Sequence, residues 1–140
     1  MKTSYKIAIV AIPLAIATFV LGRIIWPEMP GMPGPSSSLV PHFMLIGALE
    51  SISFGIGIAF LLFGWRYARS AKTKFGNMAI ATFLSIAWML ISWWPHDNMH
   101  RVNGMDNFSG LLRIEYIFHL TLVLAGFIVA CFFWRIAKST

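Results

Sequence analysis

Four long apolar runs, separated by short polar segments, dominate the pattern of the chain. Each is close to the roughly 20 residues that an α-helix needs to cross the hydrocarbon core of a bilayer. Backbone groups in lipid must hydrogen-bond within the protein, and a helix satisfies all of them internally. The pattern therefore predicts an all-α, polytopic integral membrane protein, formed by a single domain with a four-transmembrane-helix bundle. The predicted helices cover about residues 7–26, 42–65, 75–94 and 111–134.

Three connecting segments complete this prediction. Residues 27–41 read PEMPGMPGPSSSLVP, which is too rich in Pro, Gly and Ser to be helical. Residues 95–110 read PHDNMHRVNGMDNFSG and are predicted as a second loop at the same end, although Pro95 could also open a short helical turn. The short basic segment 66–74 is predicted as a loop that makes the second and third helices an antiparallel hairpin.

The composition supports a lipid environment. Hydrophobic residues make up 58% of the chain and charged residues 11%, whereas a soluble domain carries about 25% charged residues. The first run follows Lys2 and Lys6 as a signal peptide would, but it lacks a small-x-small cleavage site and extends to a full spanning length. We therefore expect an uncleaved membrane anchor.

The distribution of lysine and arginine predicts the orientation. Eight of these residues fall at the end that holds both termini and segment 66–74, and three fall at the other end. The positive-inside rule then places both termini in the cytoplasm of a multi-pass cell membrane protein. The net charge of +6 is explained by this topology and by anionic lipid headgroups, so lipids and not nucleic acid are the expected partners. The eight residues are Lys2, Lys6, Arg66, Arg69, Lys72, Lys74, Arg135 and Lys138, and the three are Arg23, Arg101 and Arg113.

Acidic residues and histidines all lie toward the opposite, extracytoplasmic end. The positive-inside rule constrains lysine and arginine and is nearly silent about acids, so this asymmetry is independent information. It predicts an outward-facing polar pocket. The residues concerned are Glu28, Glu50, Asp97, Asp106, Glu115, His42, His96, His100 and His119.

Spacing selects six of these residues as candidate metal ligands. Two histidines of WWPHDNMHRVNG are four residues apart, and a Glu-x3-His pair in the last predicted helix shares one helical face. A glutamate of the second helix lies at a similar depth, and ionisable groups inside a membrane usually pair or line a cavity. The candidate ligands are His96, Asp97, His100, Glu115, His119 and Glu50.

Imidazole and carboxylate donors suit Zn, Fe, Mn or Cu(II), whereas thioethers select Cu(I). Five methionines fall toward the same extracytoplasmic end of the predicted bundle, which favours copper as the cofactor: Met29, Met32, Met44, Met99 and Met105. Two alternatives remain open, a purely structural polar network and a pocket for a quinone or another small polar ligand. A bis-histidine haem is disfavoured, because among the histidines only His119 is deep enough in the membrane.

The function favoured by this pattern is that of a small integral membrane subunit of a larger complex, an oxidoreductase, not catalytic on its own. Copper-dependent membrane monooxygenases of the ammonia- and methane-oxidising kind are one such setting, by analogy of architecture alone. The alternatives are a structural or assembly subunit without a ligand, and an oligomeric proton- or metal-coupled small transporter that uses Glu50 and His119. Uniformly apolar inner halves of the second and fourth helices argue against a transport path.

Overall fold

The computed structural model describes residues 3–27, 30–31, 34, 36–103 and 107–138. Within these ranges all regular structure is helical, which confirms the prediction of an all-α protein. The elements are α1 (Thr3–Ile25), α2 (Val40–Phe75), α3 (Asn77–Ile91), α4 (Trp93–Asn103), α5 (Phe108–Ile114), a π-helical turn (Glu115–His119) and α6 (Leu120–Ala137).

Several helices are long and apolar enough to cross a membrane. Thr3–Ile25, Val40–Phe75 and the continuous helix Phe108–Ala137 each meet this criterion alone. The pair formed by α3 and α4 meets it together, with a bend of 44° between the two helices. Length and composition thus give three such helices, or four if the bent pair counts as one.

The basic segment predicted as a loop at residues 66–74 forms instead the last turns of α2. That segment reads RYARSAKTK and contains no glycine or proline that would interrupt a helix. The helix ends at Gly76, whose φ of 65° favours glycine and whose N–H donates to the Lys72 carbonyl. The turn between α2 and α3 is therefore much tighter than the sequence suggested.

Most of the segment predicted as a loop at residues 95–110 is also helical, because α4 covers Trp93–Asn103. The chain bends at Ser92 and continues through Pro95. Proline is tolerated there because the first turn of a helix needs no donor from its backbone nitrogen. The backbone N–H of His96 closes this first turn by donating to the Ser92 carbonyl at 3.0 Å.

The long helices pack as neighbours in chain order: α1 against α2, α2 against α3, and α3 against α6. Glycine allows α2 to approach both of its neighbours closely. A Cβ atom on Gly55 would overlap the carbonyl oxygen of Ala11 in α1, and one on Gly57 would lie 2.7 Å from Cγ1 of Ile91. Small residues of this kind are typical of helix interfaces in membranes. This packing places α4 and the π-helical turn together at one end.

Candidate metal centre

Three imidazoles, from α4 and from the π-helical turn, point their Nε2 atoms at one another. The Nε2 atom of His96 lies 2.8 Å from that of His119 and 3.2 Å from that of His100. Each of the three residues offers a ligand atom within 4.8 Å of the other two. We call these residues the histidine cluster.

Local helix geometry produces this convergence. His96 and His100 are one turn apart and share a face of α4. His119 ends the π-helical turn, in which the Leu120 N–H donates to the Glu115 carbonyl five residues back. Single π-helical turns inside α-helices occur frequently at functional sites.

Glu115 orients the third imidazole. The Nδ1 atom of His119 donates to Oε2 of Glu115 at 2.8 Å. A neutral imidazole has one proton, so its Nε2 presents a lone pair to the other two histidines. Carboxylate–histidine pairs of this type fix the tautomer and the ring orientation of metal ligands. The side chains are 42% exposed for His119 and 57% for Glu115, so the pair adds little stability as an ion pair.

Hydrogen bonds among the three imidazoles cannot satisfy all of their Nε2 atoms. Nε2 of neutral His96 can either donate one hydrogen or accept at one lone pair, yet it faces two other nitrogens. A cation accepts a lone pair from each of the three. Metal–nitrogen bonds of 2.0–2.1 Å in a tetrahedral site imply about 3.3 Å between nitrogens, which is near the two separations observed. The donor set and its spacing therefore fit a transition metal.

An apolar wall covers one side of the histidine cluster. The ring of His96 lies 5.4 Å from that of Phe118, which is 4% exposed. Phe118 stacks on Trp88 with 5.9 Å between ring centroids, and Trp88 Nε1 donates to Thr121 Oγ1 at 2.9 Å. Sequence reasoning did not predict this wall. Phe118 and Thr121 carried no signal of their own.

Two of the six predicted ligands lie elsewhere. Glu50 is buried in α2, 7% exposed, and its charged neighbours are Asp97 and Arg101. Asp97 is exposed on α4 and is not among the clustered ligand atoms. These two neighbours belong to α4, so Glu50 adjoins α4 from the side of α2, whereas His119 contacts α4 through His96. The structure thus brings together the three histidines of the predicted set, with Glu115 attached to one of them.

Arg101 holds α4 from the side away from the histidines. Its Nη2 donates to the Trp26 carbonyl at 3.1 Å and to the Gly22 carbonyl at 3.4 Å, at the end of α1. The same atom donates to Oδ1 of Asn98. A cation at a helix C-terminus is favoured by the helix dipole. Sequence reasoning used Arg101 for topology alone and missed this role.

The methionine thioethers proposed from the sequence as softer ligands give little support to the metal site. Met29, Met32 and Met105 lie outside the described residues. Met44 is exposed near the beginning of α2. The histidines therefore carry the argument for a metal.

No protein-family model matches this chain, and no curated protein and no solved structure matches it either. The chemistry proposed below is accordingly argued from the geometry of the histidine cluster.

Proposed function

We propose that this protein is an integral membrane subunit that holds one transition-metal ion on His96, His100 and His119. The observation that carries the proposal is the convergence of three Nε2 atoms, one of them oriented by Glu115 through the opposite ring nitrogen. A purely structural network explains this arrangement less well, because His96 cannot satisfy both neighbouring nitrogens at once.

Copper is the metal we propose. Imidazole donors suit Zn, Cu, Fe and Ni, and among divalent first-row ions Cu²⁺ binds a given nitrogen site most strongly. A bound copper ion would supply one-electron chemistry, which is the reason for placing the subunit in an oxidoreductase. The chain's own residues hold and orient the ion, and the wall of Phe118 and Trp88 shields one side from water.

The chain's surfaces support the role of a subunit. Large apolar side chains remain exposed along α6, among them Phe127, Phe133 and Trp134. Such faces are covered by lipid or by neighbouring membrane helices. We propose four crossings of the cell membrane, with both termini in the cytoplasm and the histidine cluster on the extracytoplasmic side.

Metal analysis of the protein purified in mild detergent tests the centre. We expect close to one copper ion per chain in the wild type and a loss of most of it in His119→Ala. His42→Ala is the matched control, since His42 is exposed near the beginning of α2 and outside the cluster. Equal metal content in both variants, or a metal-free wild type whose folding is verified by circular dichroism, would overturn the proposal.

Native purification tests the role as a subunit. A tagged chain extracted under mild conditions is expected to bring down other membrane proteins at a fixed ratio. Recovery of a monodisperse single chain, with its metal still bound, would contradict the subunit role and leave the metal centre standing.

A further inference from the structure

A groove lies between α2 and α3, at the end of the molecule away from the histidine cluster, with a volume of about 430 Å³. One part of its lining is apolar and comes from Ile80, Ala81 and Leu84 of α3. The other part is polar and comes from Arg69 and Lys72 of α2 and from Asn77. Trp65 completes the lining.

Polarity changes in one direction along this groove. Trp65 lies level with the apolar wall, because its ring contacts Phe83 at 5.9 Å between centroids. Arg69 and Lys72 follow Trp65 by four and seven residues, which at 1.5 Å per residue places them about 6–10 Å farther along α2. Asn77 begins α3 near that level. The groove is thus apolar toward the centre of the spanning helices and cationic toward their end.

The two cations of the groove lack acidic partners among the described residues. The ion pair among the described residues joins His119 to Glu115, at the opposite end of the molecule. Glu50 and Asp97, the other described acids, also lie toward that end. Within the part of the chain that the structure describes, no acidic side chain therefore compensates the positive charge of the groove.

We propose that this groove binds one phospholipid with an anionic headgroup. Arg69 and Lys72 bind the phosphate, Arg69 through its planar set of donors and Lys72 as a point charge. The Asn77 side chain hydrogen-bonds the headgroup, and one acyl chain lies along Ile80, Ala81 and Leu84. Trp65 lies at the interfacial level that tryptophan prefers in membrane proteins. Basic pockets between membrane helices are established sites for such headgroups. This site is independent of the metal centre.

Lipid retention in native mass spectrometry tests the proposal. The protein is equilibrated in mixed micelles with equal amounts of phosphatidylglycerol and phosphatidylcholine, and the lipid retained is identified. We expect one phosphatidylglycerol on the wild type. In Arg69→Gln/Lys72→Gln we expect roughly 25-fold weaker binding, at about fivefold for each basic residue.

Arg66→Gln/Lys74→Gln is the matched control, since it removes the same charge from the same helix outside the groove. The control is expected to retain the lipid as the wild type does. Equal loss in both double variants would show diffuse attraction to the basic end and overturn the site. Retention of phosphatidylcholine as strongly as phosphatidylglycerol by the wild type would also overturn it.

A third variant tests the apolar part of the groove. Ala81→Phe fills the space for the acyl chain while it keeps both cations, and we expect it to lose the lipid as well. Inorganic phosphate added in excess is expected to leave the lipid bound, because the acyl chain contributes to affinity. Retained lipid in Ala81→Phe, or displacement by phosphate, would contradict a phospholipid as the occupant. A cooperative thermal unfolding transition shows that each variant is folded.

Discussion

At the scale of single residues, the carboxylate of Glu115 decides which nitrogen of His119 is available for a metal. Its Oε2 atom lies 2.8 Å from Nδ1 and keeps the proton on that nitrogen. The Nε2 atom is then left without a proton and faces His96. Loss of the carboxylate would free the ring to exchange tautomers and to rotate. Outer partners of this kind fix the orientation of metal ligands and thereby tune metal affinity.

The first prediction concerns this carboxylate. Glu115→Gln is expected to lower metal affinity by about 10- to 100-fold, because the amide holds the imidazole tautomer less strongly than a carboxylate does. The measurement is competition with a chelator of known affinity.

Asp97→Asn is the control for Glu115→Gln. Asp97 follows a histidine of the cluster in sequence but is exposed on α4, outside the clustered ligand atoms. We expect its substitution to leave affinity within a few-fold of the wild type. If Asp97→Asn lowered affinity as much as Glu115→Gln did, the geometric assignment of the site would be wrong.

At the scale of helices, close approach between α1 and α2 depends on Gly55. An added Cβ would overlap the backbone carbonyl of Ala11, which cannot rotate away as a flexible side chain could. Gly55→Ala is therefore expected to destabilise the protein by about 1–3 kcal/mol, as overpacking usually does. Thermal unfolding in detergent measures the effect. Gly126→Ala in α6 is the control, because its added Cβ would meet no atom within 4 Å; an equal loss there would refute the packing argument.

Arg101 gives the next prediction at this scale. Arg101→Ala removes the contacts that join α4 to the end of α1, and one well-formed hydrogen bond to a charged group, such as that to the Trp26 carbonyl at 3.1 Å, contributes about 1.5–3 kcal/mol. We expect roughly 2 kcal/mol of lost stability together with weaker metal binding, because the other face of α4 carries His96 and His100. Arg113→Ala, exposed on α5, is the control. Unchanged metal affinity in Arg101→Ala would show that the histidine face is positioned without this anchor.

Hydrophobic patterning predicts the helices that are apolar along their whole length and misses those that are polar. α1 and the long final helix lie close to their expected ranges. The basic end of α2 and most of α4 were assigned to loops, because charged residues, Pro95 and the histidines interrupt the apolar pattern. Helix formation there depends on backbone continuity and on contacts such as that of Arg101 with α1, which periodicity does not encode.

At the scale of the whole molecule, α3 and α4 decide the topology. If the bent pair crosses the membrane, Ser70 and Lys138 lie on one side and Ser109 on the other. We predict that single cysteines at Ser70 and Lys138, in a Cys131→Ala background, react with a membrane-impermeant thiol reagent only after permeabilisation. A cysteine at Ser109 is expected to react in intact cells. Labelling of Ser70→Cys and Ser109→Cys from the same side would contradict four crossings.

Part of the candidate site was predictable from the sequence, because some of its contacts are local to one helical turn. Four-residue spacing correctly paired His96 with His100 and Glu115 with His119, since both pairs lie within one helical turn. The sequence also grouped Glu50 and Asp97 with them, because depth in the membrane was the available guide. Depth does not reveal which side chains of neighbouring helices face each other, and Glu50 lies beside Asp97 and Arg101 and outside the histidine cluster.

The π-helical turn at Glu115–His119 contains one residue more than an α-helical turn would. One residue rotates an α-helix by about 100°, so α5 and α6 are out of phase with each other by that angle. Ile114 and Ala125 are both buried, on opposite sides of this phase shift. Deleting a single residue from the turn would restore a regular helix, but α5 and α6 could then no longer both keep their present buried faces. The histidine cluster thus depends on one extra residue in an otherwise regular apolar helix.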